Sequence, residues 1–256
     1  MADVVLLHGG GFGPWSWDLV RPGLERLGHR TVAVSLPLDS EGLEAIASSA
    51  AEQAATSLDS DGPVVVGHAL GCAVVPLVAG RLGARAMIWV CGVVPVPGLS
   101  CADLIAADPT MIPMWDGSGR RELLEEGADG IPAAVLDRMA DDLFPDADPS
   151  VRAWALAHIR EDGVPPRGGV NAVSDRFPAD GWPAIPAASV IGRDDRALSP
   201  SWSRAAASAR LGAEPVELPG DHTPLLSRPD ELVAVLERMI AAGDRSVGPP
   251  TGQPRR

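Results

Sequence analysis

The sequence contains no lysine: all 21 of its basic residues are arginines. A pyridoxal Schiff base and a Walker-type phosphate lysine are therefore excluded. It has no apolar run of about 18 residues or more, so no membrane-spanning helix is expected. Cysteine is scarce and odd in number, at Cys72, Cys91 and Cys101, which fits a reducing cytoplasm better than a disulfide scaffold. Positive charge is in deficit, with 34 acidic against 21 basic residues and a net charge of −13. Such a surface would release no counterions from a phosphate backbone, so nucleic acid is not an expected partner. The acidity reads instead as a solvated surface. Nor is there a basic n-region or a secretory h-region, because Met1-Ala2-Asp3 leads straight into the strand-like Val4-Val5-Leu6-Leu7.

What is present fits one domain: 256 residues, 46% of them hydrophobic, suffice for a substantial core. Short apolar runs alternate with longer helical patterns, which predicts an α/β fold, a mostly parallel sheet covered by helices on both faces. The expected strands are Val4–Leu7, Thr31–Ser35, Pro63–Val66, Ala86–Val94, Ala188–Ile191 and Pro215–Leu218. The expected helices are Ser16–Leu27, Gly42–Leu58, Leu70–Leu82, Ser201–Leu211 and Pro229–Ala242. From Pro95 to Pro183 the rhythm breaks into helical stretches at Arg120–Glu126, Ile131–Leu143 and Ser150–Arg160, with no clear strand. The division expected is therefore a core of residues 1–94 and 184–242, a helical cap inserted as residues 95–183, and a disordered tail, 243–256, rich in Pro, Gly and Arg.

Gly67-His68-Ala69-Leu70-Gly71 follows the apolar Pro63-Val64-Val65-Val66 and precedes the small-residue stretch Cys72-Ala73-Val74-Val75. The spacing is that of a nucleophile elbow, G-x-S-x-G, in which a sharp strand-to-helix turn lifts one side chain above the sheet. The lifted residue here is Ala69, which has no nucleophilic atom.

Three further motifs take the places such an elbow predicts. His8-Gly9-Gly10-Gly11-Phe12-Gly13 directly follows the first strand, where a glycine-rich loop can aim backbone N–H groups at a developing oxyanion. The N–H of Leu70, next after the elbow residue, would be the second donor. Gly192-Arg193-Asp194-Asp195-Arg196 ends a late strand, and a carboxylate there can orient and charge-stabilise a histidine. Asp195, which directly precedes a basic residue, is preferred to Asp194. Pro219-Gly220-Asp221-His222-Thr223-Pro224 follows the last strand, and His222 would be the general base.

The order elbow, acid, histidine resembles that of the α/β-hydrolase superfamily over nearly the whole chain. The His-Gly loop followed by Trp15-Ser16-Trp17, the Asp195-Arg196 pair and His222-Thr223-Pro224 resemble its plant-methylesterase and hydroxynitrile-lyase-like branch. The resemblance implies the α/β-hydrolase fold, oxyanion donors at Gly10 and Leu70, an acid at Asp195 and a base at His222. The lyases of that branch place a lysine beside the histidine. This chain has Thr223 there, which argues against hydroxynitrile-lyase activity.

The alanine leaves three readings. A native serine replaced by Ala69 would give an inactive or substrate-trapping esterase or thioesterase. A naturally serine-less enzyme would use the His222–Asp195 pair and the oxyanion loop for lyase, cyclase or decarboxylase chemistry, as in natural-product biosynthesis. A non-catalytic ligand-binding protein would not need acid, base and oxyanion loop together. The expected substrate is a small molecule, a medium-sized apolar or aromatic ester, thioester or lactone. Gly11, Phe12, Trp115 and Trp154 are candidates to contact it, and Trp182, Met111, Met114, Leu143 and Phe144 are further possible lining. His8 is expected to buttress its loop, His68 to be the elbow's non-catalytic neighbour, and His29 and His158 to lie at the surface. Cys72 reads as a small core residue. No cofactor is implied because the catalytic groups suffice, and no cluster has metal-ligand spacing.

Overall fold

Three strands are buried at every residue: β1 (Asp3–Leu7), β3 (Val64–His68) and β4 (Ala86–Val90). Strands of a parallel sheet covered on both faces read this way, as unbroken apolar runs. The structure, a computed structural model, describes residues 1–38, 42–59, 62–113, 133–162, 170–180 and 182–243. With β2 (Arg30–Val34), β5 (Ala187–Gly192) and β6 (Val216–Leu218), the strands form one six-stranded sheet in the order β2-β1-β3-β4-β5-β6, and every pair is parallel. Exposed residues enter at the edges, at Arg30 of β2 and Glu217 of β6.

Alternate strand residues face opposite layers. Val4, Leu6, Val64, Val66, Ile88 and Val90 pack with Leu24 of α1 (Arg21–Arg26) and with Leu232 and Leu236 of the last helix, α10 (Pro229–Gly243). Val5, Leu7, Val65, Met87 and Trp89 pack on the other face against α2 (Leu43–Ala55), α3 (Val75–Leu82) and α8 (Pro200–Ala206). The register levels the carboxyl ends of the strands: Leu7 pairs with Val34 and Gly67, His68 with Val90, and Gly192 with Leu218. The loops that leave these ends therefore emerge at one edge of the sheet, where ligands of open α/β sheets bind.

Several boundaries differ from expectation for identifiable reasons. The strand expected over Ala86–Val94 stops at Val90, because Cys91 adopts a φ of +45°, which no strand residue can keep. The helix expected over Ser16–Leu27 is a 3₁₀ turn, Pro14–Trp17, followed by α1, since Pro22 cannot sit inside a continuous helix. The Leu70–Leu82 helix begins as 3₁₀ over Ala69–Val74 before α3, which has a proline in its first turn. The helix expected over Ser201–Leu211 is α8 followed by a π-type turn, Ala207–Leu211.

Between β4 and β5 lie α4 (Cys101–Ala107), α5 (Ala133–Leu143), α6 (Pro149–Asp162) and α7 (Val170–Ser174). α4 was not expected, although Ser100 and Asp103 form a complete capping box at its start. The stretch Arg120–Glu126, residues 131–132 and the tail 244–256 lie outside the described residues. The apolar faces of α5 and α6 (Ala140, Leu143, Phe144, Ala155, Leu156, Ile159) belong to the same core as Phe12, Trp15 and β1. Among the described residues, no helix is long and apolar enough to cross a membrane.

Candidate active site

The turn after β3 has the geometry its glycines require. Ala69 sits at a φ of +48°, in the left-handed region that costs a non-glycine residue on the order of 1–3 kcal/mol. A Cβ at Gly67 would lie 2.5 Å from Val75 Cγ2, and one at Gly71 would lie 2.2 Å from the carbonyl oxygen of His8. Neither position admits a side chain, so the elbow and the His8–Phe12 loop are locked backbone to backbone.

That loop is itself held tightly. His8 donates from Nδ1 to the carbonyl of Gly9 (2.9 Å) and accepts the N–H of Leu36 at Nε2 (2.9 Å), which fixes its tautomer. Phe12 N–H closes a turn onto the carbonyl of Gly9 at 3.2 Å, with Gly11 at a φ of +75°. A Cβ at Gly10 would lie 3.3 Å from Leu70 Cδ2, and one at Gly9 would lie 2.9 Å from Ala69 Cβ. The two proposed oxyanion donors, Gly10 and Leu70, are thus brought side by side at the elbow residue.

Opposite stands a buried pair. His222 Nδ1 donates to Asp195 Oδ2 at 2.7 Å, with the residues 6% and 7% exposed. The other oxygen of Asp195 accepts the N–H groups of Ala197 (2.8 Å) and Leu198 (2.9 Å). Asp194 turns away and accepts the N–H of Gly220 at 3.0 Å, tying the acid and histidine loops together. Of the two candidate acids, the structure brings Asp195 to His222. With its Nδ1 proton committed to the carboxylate, His222 keeps Nε2 as its basic nitrogen.

His68 lies beneath this pair. Its Nε2 donates to the carbonyl of His222 at 3.1 Å, and the two ring centroids are 5.3 Å apart. Burial first, and the neighbouring His222 second, push its pKa down to about 3, so His68 is a neutral spacer. Cys72 is fully buried and its thiol is pushed up by burial, as is that of Cys91, so neither presents a thiolate in place of the missing serine oxygen.

A second buried carboxylate escaped the sequence reading. Asp221, 2% exposed, accepts the N–H of Thr223 (2.9 Å), the hydroxyl of Ser227 (2.9 Å) and the N–H of Asp146 (3.0 Å). Burial raises its pKa against those bonds. The local signal was present, since an aspartate that bonds the N–H two residues on is a common turn former. Its bond to Asp146, 75 positions away, left no trace in the sequence.

A cavity of about 10 Å³ adjoins the glycine loop, lined by Gly10, Gly11 and Phe12 and, across from them, Met139, Ala140, Leu143, Phe144 and Ile159. It has room for no more than about one water molecule. Of the candidate substrate contacts and lining residues, Gly11, Phe12, Leu143 and Phe144 are among those that line this cavity. Trp154 is not: it packs edge-on against Trp15 (5.3 Å) and beside His158 (4.6 Å). Met111 is buried in a separate cluster with Val93, Leu104 and Leu198, and Trp182 stacks on Trp89 at 5.5 Å. Trp115 and Met114 lie outside the described residues. His29 is buried rather than exposed, paired with Glu237. A wider cleft of about 510 Å³, lined by Asp3, Glu25, His29, Arg30 and Asp59, opens at the amino ends of β1 and β2, away from the His222–Asp195 pair.

Residues 4–235 match the sequence model of the alpha/beta hydrolase family. Methylesterase 8 of Arabidopsis thaliana is 25% identical over 252 residues, which span 91% of this chain and 89% of that protein. Among solved structures, an extracellular alpha/beta-hydrolase from a Paenibacillus species, described as sharing structural and functional homology with tobacco salicylic acid binding protein 2, superposes with a TM-score of 0.73 at 18% identity, covering 93% of this chain and 99% of that one. Polyneuridine aldehyde esterase superposes with a TM-score of 0.69 at 17% identity, covering 94% and 99%. At these structural identities the likeness is one of fold.

Proposed function

The chain belongs to the alpha/beta hydrolase family, and from that premise we propose that it acts on a neutral, medium-sized ester, thioester or lactone by general acid–base chemistry at His222, without a covalent acyl-enzyme. One observation carries this reading: an intact His222–Asp195 pair at 2.7 Å is joined, through the bond from His68 to the carbonyl of His222, to an elbow whose residue, Ala69, has no nucleophilic atom. His222 Nε2 takes a proton from the substrate, from a hydroxyl or from a carbon next to a carbonyl. Asp195 stabilises the imidazolium that results. The charge that develops on the carbonyl oxygen is met by the N–H groups of Gly10 and Leu70. The proton is then returned to a leaving group as its bond to carbon breaks, or to a second carbon, which covers elimination and cyclisation. The apolar lining by Phe12, Met139, Leu143, Phe144 and Ile159 supports a substrate without charge.

The elbow supports a second reading, a hydrolase in which Ala69 stands in place of the nucleophilic serine and which binds its substrate without turning it over. The strained φ of Ala69 and the two side-chain-excluding glycines are what a serine there would need.

Ala69→Ser separates the two. The variant is treated with a fluorophosphonate and its intact mass read, with the parent chain as control. The new hydroxyl oxygen bonds to phosphorus as the P–F bond breaks, His222 takes the hydroxyl proton and fluoride leaves. A single adduct that disappears on His222→Ala, together with a parent chain inert towards esters, thioesters and lactones, would overturn the acid–base reading in favour of the second. Turnover of any such compound by the parent chain, abolished by His222→Ala, is the result expected of the first.

A further inference from the structure

We propose that Asp221 and Thr223 are positioning residues that transmit the placement of α5 to His222. The inference rests on the acid–base reading of His222 given above. His222 is the middle residue of a tripeptide whose two outer members are both anchored on the segment that ends α5. Thr223 donates its hydroxyl to the carbonyl of Leu143 at 2.5 Å, and the carboxylate of Asp221 accepts the N–H of Asp146 at 3.0 Å. On the sheet side, the same histidine is held by Asp195 and by the N–H of His68.

Two observations indicate that the anchoring is specific. Thr223 occupies the N-cap of the short helix α9 (Pro224–Ser227), where a threonine hydroxyl ordinarily accepts a backbone N–H of the first turn. Here it makes no such cap bond; it is fully buried and spends its proton on α5. Asp221 meanwhile keeps a carboxylate out of water, a cost its three donors offset, and one of those donors belongs to the segment after α5.

Leu143 and Phe144 also form the wall of the cavity that faces Gly10, Gly11 and Phe12. A substrate larger than that cavity must push α5 away from the glycine loop. The displacement pulls at Leu143 and Asp146, hence at both neighbours of His222, while Asp195 stays with the sheet. Seating a substrate and aligning the base are therefore one mechanical event, and a misplacement of about 1 Å can cost about 100-fold in rate.

The test uses full-length Ala69→Ser as parent and measures fluorophosphonate labelling as a maximal rate and a half-saturating concentration. Thr223→Val removes the donor at nearly constant volume. It is expected to lower the maximal rate by about 10-fold or more, with little change in half-saturation, and Thr223→Ser is expected to restore the rate. Labelling of Thr223→Val at the parent's rate would overturn the proposal. So would a fall in Thr223→Ser as deep as that in Thr223→Val, since packing would then be the cause. A parent that does not label at all tells against the reading of the site, not against the positioning. In that event the exchange rate of the His222 Nδ1 proton is followed by NMR in the chain with Ala69. The proposal expects Thr223→Val to raise it about 10-fold and Thr223→Ser to leave it unchanged, and an unchanged rate in both overturns it.

Discussion

His68 makes the protein's stability depend on pH in a way that can be calculated. It is fully buried and donates its one ring proton, at Nε2, to the carbonyl of His222. A second proton would have to sit on Nδ1, which has no partner among the described residues. Its folded-state pKa is accordingly about 3, against 6.5 for an unperturbed imidazole. In the unfolded chain His68 takes up most of a proton between pH 7 and pH 5; in the folded protein it takes up almost none. A group with a depressed folded pKa contributes its full stability above the unfolded value and loses it as the pH falls towards the folded one. With these two values, the step from pH 7 to pH 5 costs about 2 kcal/mol, and the loss continues at about 1.4 kcal/mol per pH unit down to the folded pKa. His68→Gln keeps an N–H for the carbonyl of His222 but does not titrate. Urea-unfolding free energies of both proteins at pH 7 and pH 5 give a double difference in which the contributions of the other histidines cancel. The parent should lose about 2 kcal/mol more than the variant. Equal losses in the two proteins would refute the reasoning and show that His68 reaches water or a proton acceptor in the folded state.

Three further outcomes are expected. Ala69→Gly should raise stability by about 1 kcal/mol, and Tm by about 2–4 °C, because glycine tolerates the left-handed φ at this position; calorimetry that showed a loss would mean the elbow is not strained. Gly71→Ala should cost at least about 3 kcal/mol, since its Cβ would meet the carbonyl oxygen of His8 at 2.2 Å; a soluble variant with the parent's Tm would contradict the locking of elbow and loop. Asp195→Asn should lower turnover, or fluorophosphonate labelling of Ala69→Ser, by about 10⁴-fold. Asp194→Asn should leave it within about 10-fold, because among the described residues Asp194 holds only the N–H of Gly220; reversed magnitudes would exchange the two roles.

The sheet was legible because strands buried on both faces must be apolar throughout, and the site because its loops leave the carboxyl ends of those strands in chain order. Where reading failed, the deciding partner was remote in sequence or the backbone turned without a compositional mark. The Val93-Val94 run read as strand but lies beyond the turn at Cys91. His29 reads as a surface residue in the sequence because nothing near it reveals Glu237, 208 positions on. Asp194 and Asp195 are chemically identical neighbours, distinguished only by which of them the N–H groups of Ala197 and Leu198 meet. Trp154 looked like pocket lining by residue type, yet Trp15 and His158 claim its faces.

The inner faces of α5 and α6 share one continuous core with Phe12, Trp15 and the first strand. Exchanging this insertion for a relative's would strip neighbours from the very loop proposed to bind the oxyanion. If the cavity is the proposed substrate site, new substrate ranges are more accessible to this chain through single replacements at Met139, Leu143, Phe144 or Ile159 than through recombination, and drift at those four positions would record a change of diet long before the scaffold showed it.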